Sequence, residues 1–124
     1  MVSVRAYKES DKERVQNICL ANAGCKESSE DTKKYILLMY CNYYIEKEPE
    51  NCFVAVNEND EAVGYIICAE DYEKYEQTFK AEYINQCASI SPRRYVEAKL
   101  DLLSHSMFKK DYPSHFHIDI DDKY

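Results

Sequence analysis

The sequence predicts one mixed α/β domain in the order strand, two helices, hairpin, two helices, strand. Two β-branched runs flank a turn-rich loop. Apolar residues recur at helical spacing in four segments. The last strand alternates strictly between apolar and polar residues. The 124 residues are 45% hydrophobic and 31% charged, which suits a folded chain rather than a disordered tail.

The elements follow in order. Val2-Ser3-Val4-Arg5 alternates as a strand. Ser10-Asp11-Lys12-Glu13 reads as a capping box that opens a helix, with Val15, Ile18 and Cys19 on its apolar side and Gly24 as its C-terminal cap. A second helix is predicted over 30–47, with Tyr35, Ile36, Met39, Tyr40 and Tyr43 on one face and Pro49 as its stop. Cys52-Phe53-Val54-Ala55-Val56 and Ala62-Val63-Gly64-Tyr65-Ile66-Ile67-Cys68 form a hairpin, in which Gly64 marks a bulge or a close approach of another backbone. Tyr72, Tyr75, Phe79 and Tyr83 stand at helical spacing. Ser91-Pro92 is an N-cap and first-turn proline for a helix with a predicted buried stripe of Val96, Leu100 and Leu103. Ser114–Ile120 is the last strand. No repeat, low-complexity tract or linker divides the chain, so residues 1–124 read as one domain.

Composition narrows function. With two glycines set far apart, the chain has no self-contained Walker or Rossmann phosphate loop. Its net charge of −7, with no basic run longer than a pair such as Arg93-Arg94, argues against nucleic acid. No apolar run reaches the ~20 residues of a membrane span, and the N-terminus lacks the order of a signal peptide, so no membrane partner is expected and the chain reads as cytoplasmic. None of the six cysteines has zinc-knuckle spacing, and most sit inside apolar patterns as reduced structural residues.

The last strand carries the most chemistry. A period of two sets Phe116, Ile118 and Ile120 on one face and His115, His117 and Asp119 on the other. That polar face has the residue types of a metal site, and it resembles the HxHxDH run of metallo-β-lactamase-like hydrolases, with Ile120 where the final histidine stands. That fold needs about twice this length and glycine-rich loops, so a solvated or hydrogen-bonded strand face is the alternative, and no metal is assigned. A cysteine nucleophile paired with a histidine has no local sequence support.

The order of elements also resembles the GCN5-related N-acetyltransferases. Val4-Arg5-Ala6-Tyr7 leading to Asp11 and a helix looks like their opening. Phe53–Val56 and Ala62–Ile66, with Val63-Gly64-Tyr65, are similar to their second and third strands. Tyr112-Pro113-Ser114-His115-Phe116-His117-Ile118-Asp119-Ile120 resembles the fourth strand of a subgroup with helices inserted before it, as in the acetyltransferase-like domain of O-GlcNAcase. Here 71–112 would be that insertion.

The resemblance implies a mixed, mostly antiparallel sheet flanked by helices and stopped after its fourth strand. It implies acetyl transfer from acetyl-CoA, as co-substrate, to a small-molecule or peptide amine. Asp119 and His117 would handle the proton. The backbone of Ile118, Ile120 and Asp121 would hold the acetyl and pantetheine groups, and Tyr35 and Tyr43 would contact the acceptor. In the family a Gln/Arg-x-x-Gly-x-Gly/Ala loop follows the fourth strand and holds the pyrophosphate. No such segment is among these residues, so the resemblance implies an N-terminal portion inactive by itself. The alternative is a non-catalytic interaction module that associates, as a homodimer, through its exposed last strand.

Overall fold

The computed structural model describes residues 2–123. They fall into two compact units, one within residues 2–68 and 116–123, the other spanning residues 69–115. No helix of the described residues is long and apolar enough to cross a membrane.

The first unit is built on a sheet of β1 (Ser3–Ala6), β2 (Phe53–Val56), β3 (Ala62–Ala69) and β4 (His115–Ile120), in that spatial order. β1 and β2 are antiparallel, as are β2 and β3, with Arg5 opposite Val54 and Val54 opposite Tyr65. Ala55 faces Gly64 while Val56 faces Ala62, so Val63 is the extra residue of a bulge. At β4 the Asp121 amide donates to the Val63 carbonyl over 2.7 Å. A Cβ on Gly64 would lie 3.2 Å from both the Asp119 carbonyl oxygen and Ile120 Cγ1. The bulge and the close approach expected at Gly64 are therefore both present.

Alternation divides the sheet into unlike faces. Val54, Val56, Tyr65 and Ile67 are buried and share the core with Val15, Ile18, Leu38 and Met39. The other face exposes Val4, Phe53, Ile66, Phe116, Ile118 and Ile120.

Between β1 and β2 lie α1 (Lys12–Asn22), α2 (Glu30–Tyr40) and α3 (Asn42–Lys47). The expected Ser10–Glu13 capping box does not form. Residues Glu9–Asp11 make a 3₁₀ turn, and α1 begins only at Lys12. The reason is Asp11, whose carboxylate accepts the Lys8 amide at 2.9 Å and a two-pronged pair from Arg5 at 2.8 and 2.9 Å. Arg5 also reaches Asp60 in the hairpin turn at 2.8 Å, so one guanidinium ties β1, the entry to α1 and the β2–β3 turn together. At the far end Gly24 adopts φ +72° and the Cys25 amide donates to the Leu20 carbonyl, the glycine cap expected there.

The helix expected over 30–47 is broken at Cys41, where φ is −136°. Tyr43, Tyr44 and Ile45 are three consecutive buried residues. Consecutive side chains of a helix point about 100° apart, so three buried neighbours mean that α3 is enclosed on most of its circumference. The buried carboxylate of Glu48 then takes the Tyr43 hydroxyl at 2.7 Å and the Asn51 amide at 3.1 Å.

The second unit holds α4 (Tyr72–Thr78), a π-helical turn (Phe79–Tyr83), α5 (Ile84–Ile90) and α6 (Pro92–Ser106). Tyr72, Tyr75, Phe79 and Tyr83 are all buried, and successive rings stand 5.4 to 5.5 Å apart. Ser91 caps α6 by accepting the Arg94 amide. The stripe expected to be buried on α6 is not: Val96, Leu100 and Leu103 are 53%, 61% and 62% exposed. Instead α6 buries Ala98 and Leu102, and the Tyr72 hydroxyl donates to the Leu102 carbonyl at 3.1 Å. Small Ala98 sits on the inward side, and the hydrogen bond from Tyr72 fixes that rotation.

Two outcomes are expected. Burial raises the Asp11 pKa, but hydrogen bonds from Arg5 and the Lys8 amide outweigh it and hold the carboxyl below the usual range. The charged pair therefore stabilises the fold fully above the unfolded value of ~3.9, and that contribution is lost as pH falls through the lower folded value. Asp11→Asn should cost about 2–4 kcal/mol at pH 7 in urea unfolding, with the gap to wild type closing below about pH 4; a pH-independent gap would contradict this account. Gly64→Val should destabilise by about 1–3 kcal/mol, because its side chain meets the β4 backbone, whereas the same change at an open position of a strand costs little.

Candidate functional site

The polar face of β4 is as the alternation predicts, but it points inward, and its three titratable side chains go to three separate aromatic partners. His115 packs edge-on against Tyr75 and Tyr72, with ring centroids 4.7 and 5.5 Å apart. His117 places Nε2 3.2 Å from the Tyr44 hydroxyl and stands edge-on to Tyr44 and Tyr40 at 5.3 and 5.9 Å. Asp119 accepts a hydrogen bond from the Tyr65 hydroxyl. The set is thus hydrogen-bonded and packed rather than convergent. Among the described residues no three His, Cys, Asp or Glu side chains gather as metal ligands.

Tyr65 is the pivot of this inner face. Burial, then the neighbouring Cys19 and Asp119, push its hydroxyl well above the ordinary tyrosine range, so it remains a proton donor to the carboxylate. Cys19 lies between Tyr65 and Cys41, and the hydrogen bond that Cys41 gives to Cys19, together with burial, drives the Cys41 thiol up while the bonds Cys19 accepts bring its own thiol down. Both cysteines are buried and free, as are Cys52 and Cys87. The row Cys41, Cys19, Tyr65, Asp119 is a polar thread through an otherwise apolar core.

The backbone of β4 presents a different chemistry. The strand is the last of its sheet, and the Asp121 amide is turned toward β3. Peptide groups alternate direction along a strand, so those of Ile118 and Ile120 face the open edge. There the Asn22 side-chain amide, from the end of α1, donates to the Ile120 carbonyl at 3.2 Å and to Ile18 of its own helix at 3.0 Å. Asp121 turns its carboxylate onto the Lys123 amide at 3.0 Å, a contact that holds it below the usual carboxylate range. Strand amides at a sheet edge can bind an extended ligand through its carbonyl.

Of the residues singled out from sequence, Asp119, His117, Ile118, Ile120 and Asp121 come together on β4 and its exit. Tyr35 and Tyr43 are 6% and 1% exposed, and Glu48 takes the Tyr43 hydroxyl. Sequence reasoning missed Asn22 and the roles of Tyr44 and Tyr65. Their partners lie far along the chain, and a tyrosine inside an apolar pattern gives no sign of which polar group it will meet.

No family model and no curated protein sequence matches the chain. Among solved structures, SsHAT superposes with a TM-score of 0.82 at 22% identity, covering 99% of this chain and 68% of SsHAT. An apo-form mutant of agmatine N-acetyltransferase superposes with a TM-score of 0.51 at 16% identity, covering 100% of this chain and 62% of the other. The chain spans about two thirds of the length of these neighbours. The chain thus has a fold like that of the GCN5-related N-acetyltransferases, with a four-stranded sheet flanked by helices.

Proposed function

We propose that this chain supplies the thioester-binding strand of an acetyl-CoA-dependent N-acetyltransferase acting on an amine. The observation that carries this reading is the open edge of β4 within that fold. In it the amides of Ile118 and Ile120 take the acetyl carbonyl and the pantetheine arm, and Asp121 marks the exit of the strand toward the rest of coenzyme A. Amides already fixed in a strand need no reorganisation as negative charge grows on the thioester oxygen. The neutral amine attacks the carbonyl carbon, a C–N bond forms, the C–S bond breaks, and coenzyme A leaves as thiolate. The proton lost by the amine passes to His117 or Asp119, held in place by Tyr44 and Tyr65. The two-helix region backed by Tyr35 and Tyr43 forms the acceptor side. These 124 residues hold two glycines and bring no glycine-rich pyrophosphate loop, so tight coenzyme A binding is not proposed for this stretch alone.

A second reading rests on the exposed apolar residues of β4. Phe116, Ile118 and Ile120 beside an unpaired strand edge favour association of two copies through that strand.

Each reading has its measurement. The gene product isolated from its native source should release free thiol from acetyl-CoA in the presence of one or more amines of a primary-amine panel. Asp119→Asn should lower kcat by about 100-fold. Absence of turnover across the panel would sink the enzyme reading, and unchanged kcat in both Asp119→Asn and His117→Ala would sink the residue assignment. For the association reading, light scattering of the 124-residue chain should give a dimer that Ile118→Lys converts to monomer; a strict monomer at high concentration contradicts it.

A further inference from the structure

The second unit carries a surface that the acetyltransfer reading does not use. A groove of about 540 Å³ runs beside α6, floored by Ile84 and Leu102, walled by Leu100 and Leu103, and rimmed by Lys80 and Lys99. It continues onto the outer face of α6 and its C-terminal cap, where Val96, Leu100, Leu103 and the cap residue Met107 are all more than half exposed. Their spacing of four, three and four residues makes a single stripe about 16 Å long, or three helical turns. A stripe of that spacing is the complement of another helix laid along it.

The charges around the groove say what kind of helix. Arg93 and Arg94 are paired with Glu97, Lys80 with Glu76, and Lys109 with Glu73 and Glu76. Lys99 has no carboxylate partner among the described residues; its ammonium lies 5.0 Å from the Tyr95 ring centroid. The sequence leaves it so, since the residues three and four positions away along the helix are Val96, Leu102, Tyr95 and Leu103. In a chain of net charge −7, an ammonium that has an aromatic ring but no carboxylate beside it among the described residues, at the lip of an apolar groove, is a specific invitation to an acidic group. A second copy of the chain is the poorer fit. Two-fold packing of α6 on itself about Leu100 brings Lys99 toward its own counterpart, and both copies carry the same net charge.

We propose that this groove and the Val96-Leu100-Leu103-Met107 stripe dock an amphipathic helix of another protein, whose apolar face covers the stripe and whose acidic flank meets Lys99. The proposal does not depend on the acetyltransferase reading. Its probes are two labelled 16-residue amphipathic helical peptides, with leucines at the matching spacing, one flanked by Glu and one by Lys. In fluorescence anisotropy the Glu-flanked peptide should saturate in the micromolar range and the Lys-flanked one bind at least tenfold more weakly.

Leu103→Glu should abolish binding, and Lys99→Glu, a surface change that leaves the fold intact, should reverse the preference between peptides. The proposal is overturned by any of four results. Neither peptide saturates; both bind equally; binding survives Leu103→Glu; or sedimentation shows a dimer of the chain that Leu103→Glu dissociates. Displacement of the peptide by dodecanoate at equal affinity would overturn it too, by assigning the groove to a small amphipathic anion.

Discussion

A strand that turns its histidines and aspartate inward has to give each of them a partner, and this requirement shapes the first unit. An unmatched polar group in a core costs on the order of 1–3 kcal/mol, more for a charge. Tyrosine is an economical answer, because its ring supplies apolar contact and its hydroxyl a hydrogen bond from one side chain. Tyr44 for His117 and Tyr65 for Asp119 do this on the inner face of the sheet. The short helix after the break at Cys41 is enclosed enough to bury Tyr43 and Tyr44 side by side, and Tyr44 is the one that meets the strand.

Inward polarity has a counterpart on the opposite face. Because side chains alternate, committing His117 and Asp119 to the interior commits Phe116, Ile118 and Ile120 to the exterior, where they join Val4, Phe53 and Ile66. The same alternation directs the Ile118 and Ile120 peptide groups to the sheet edge. A candidate binding edge and an exposed apolar face are thus two results of one choice of register.

Much of this was legible in the residues. The hairpin, the role of Gly64, the glycine cap at Gly24, the Ser91-Pro92 helix start and the faces of β4 all rest on local rules of turn chemistry and periodicity. What was not legible depended on distant partners. Ser10 and Glu13 have the spacing of a capping box, but Arg5 draws Asp11 into a pair that resets the helix start. Val96, Leu100 and Leu103 form a more apolar stripe than Ala98 and Leu102, yet the latter pair is buried, on the side where the Tyr72 hydroxyl meets the Leu102 carbonyl, a contact that periodicity does not show. The polar face of β4 was visible as a set, but its division among Tyr75, Tyr44 and Tyr65 is a property of packing.

The π turn at Phe79–Tyr83 fixes something about the gene as well as the fold. Such a turn is in effect a one-residue insertion within an α-helix, and here it brings the Tyr83 ring to stack on Phe79 at an interplanar angle of 19°. Removing a single codon from this stretch would restore ordinary helical winding and turn every later residue by about 100°, carrying Ile84 and Cys87 out of the core. The reading length of the segment is therefore constrained even where the identity of a surface residue such as Ala81 or Glu82 is not.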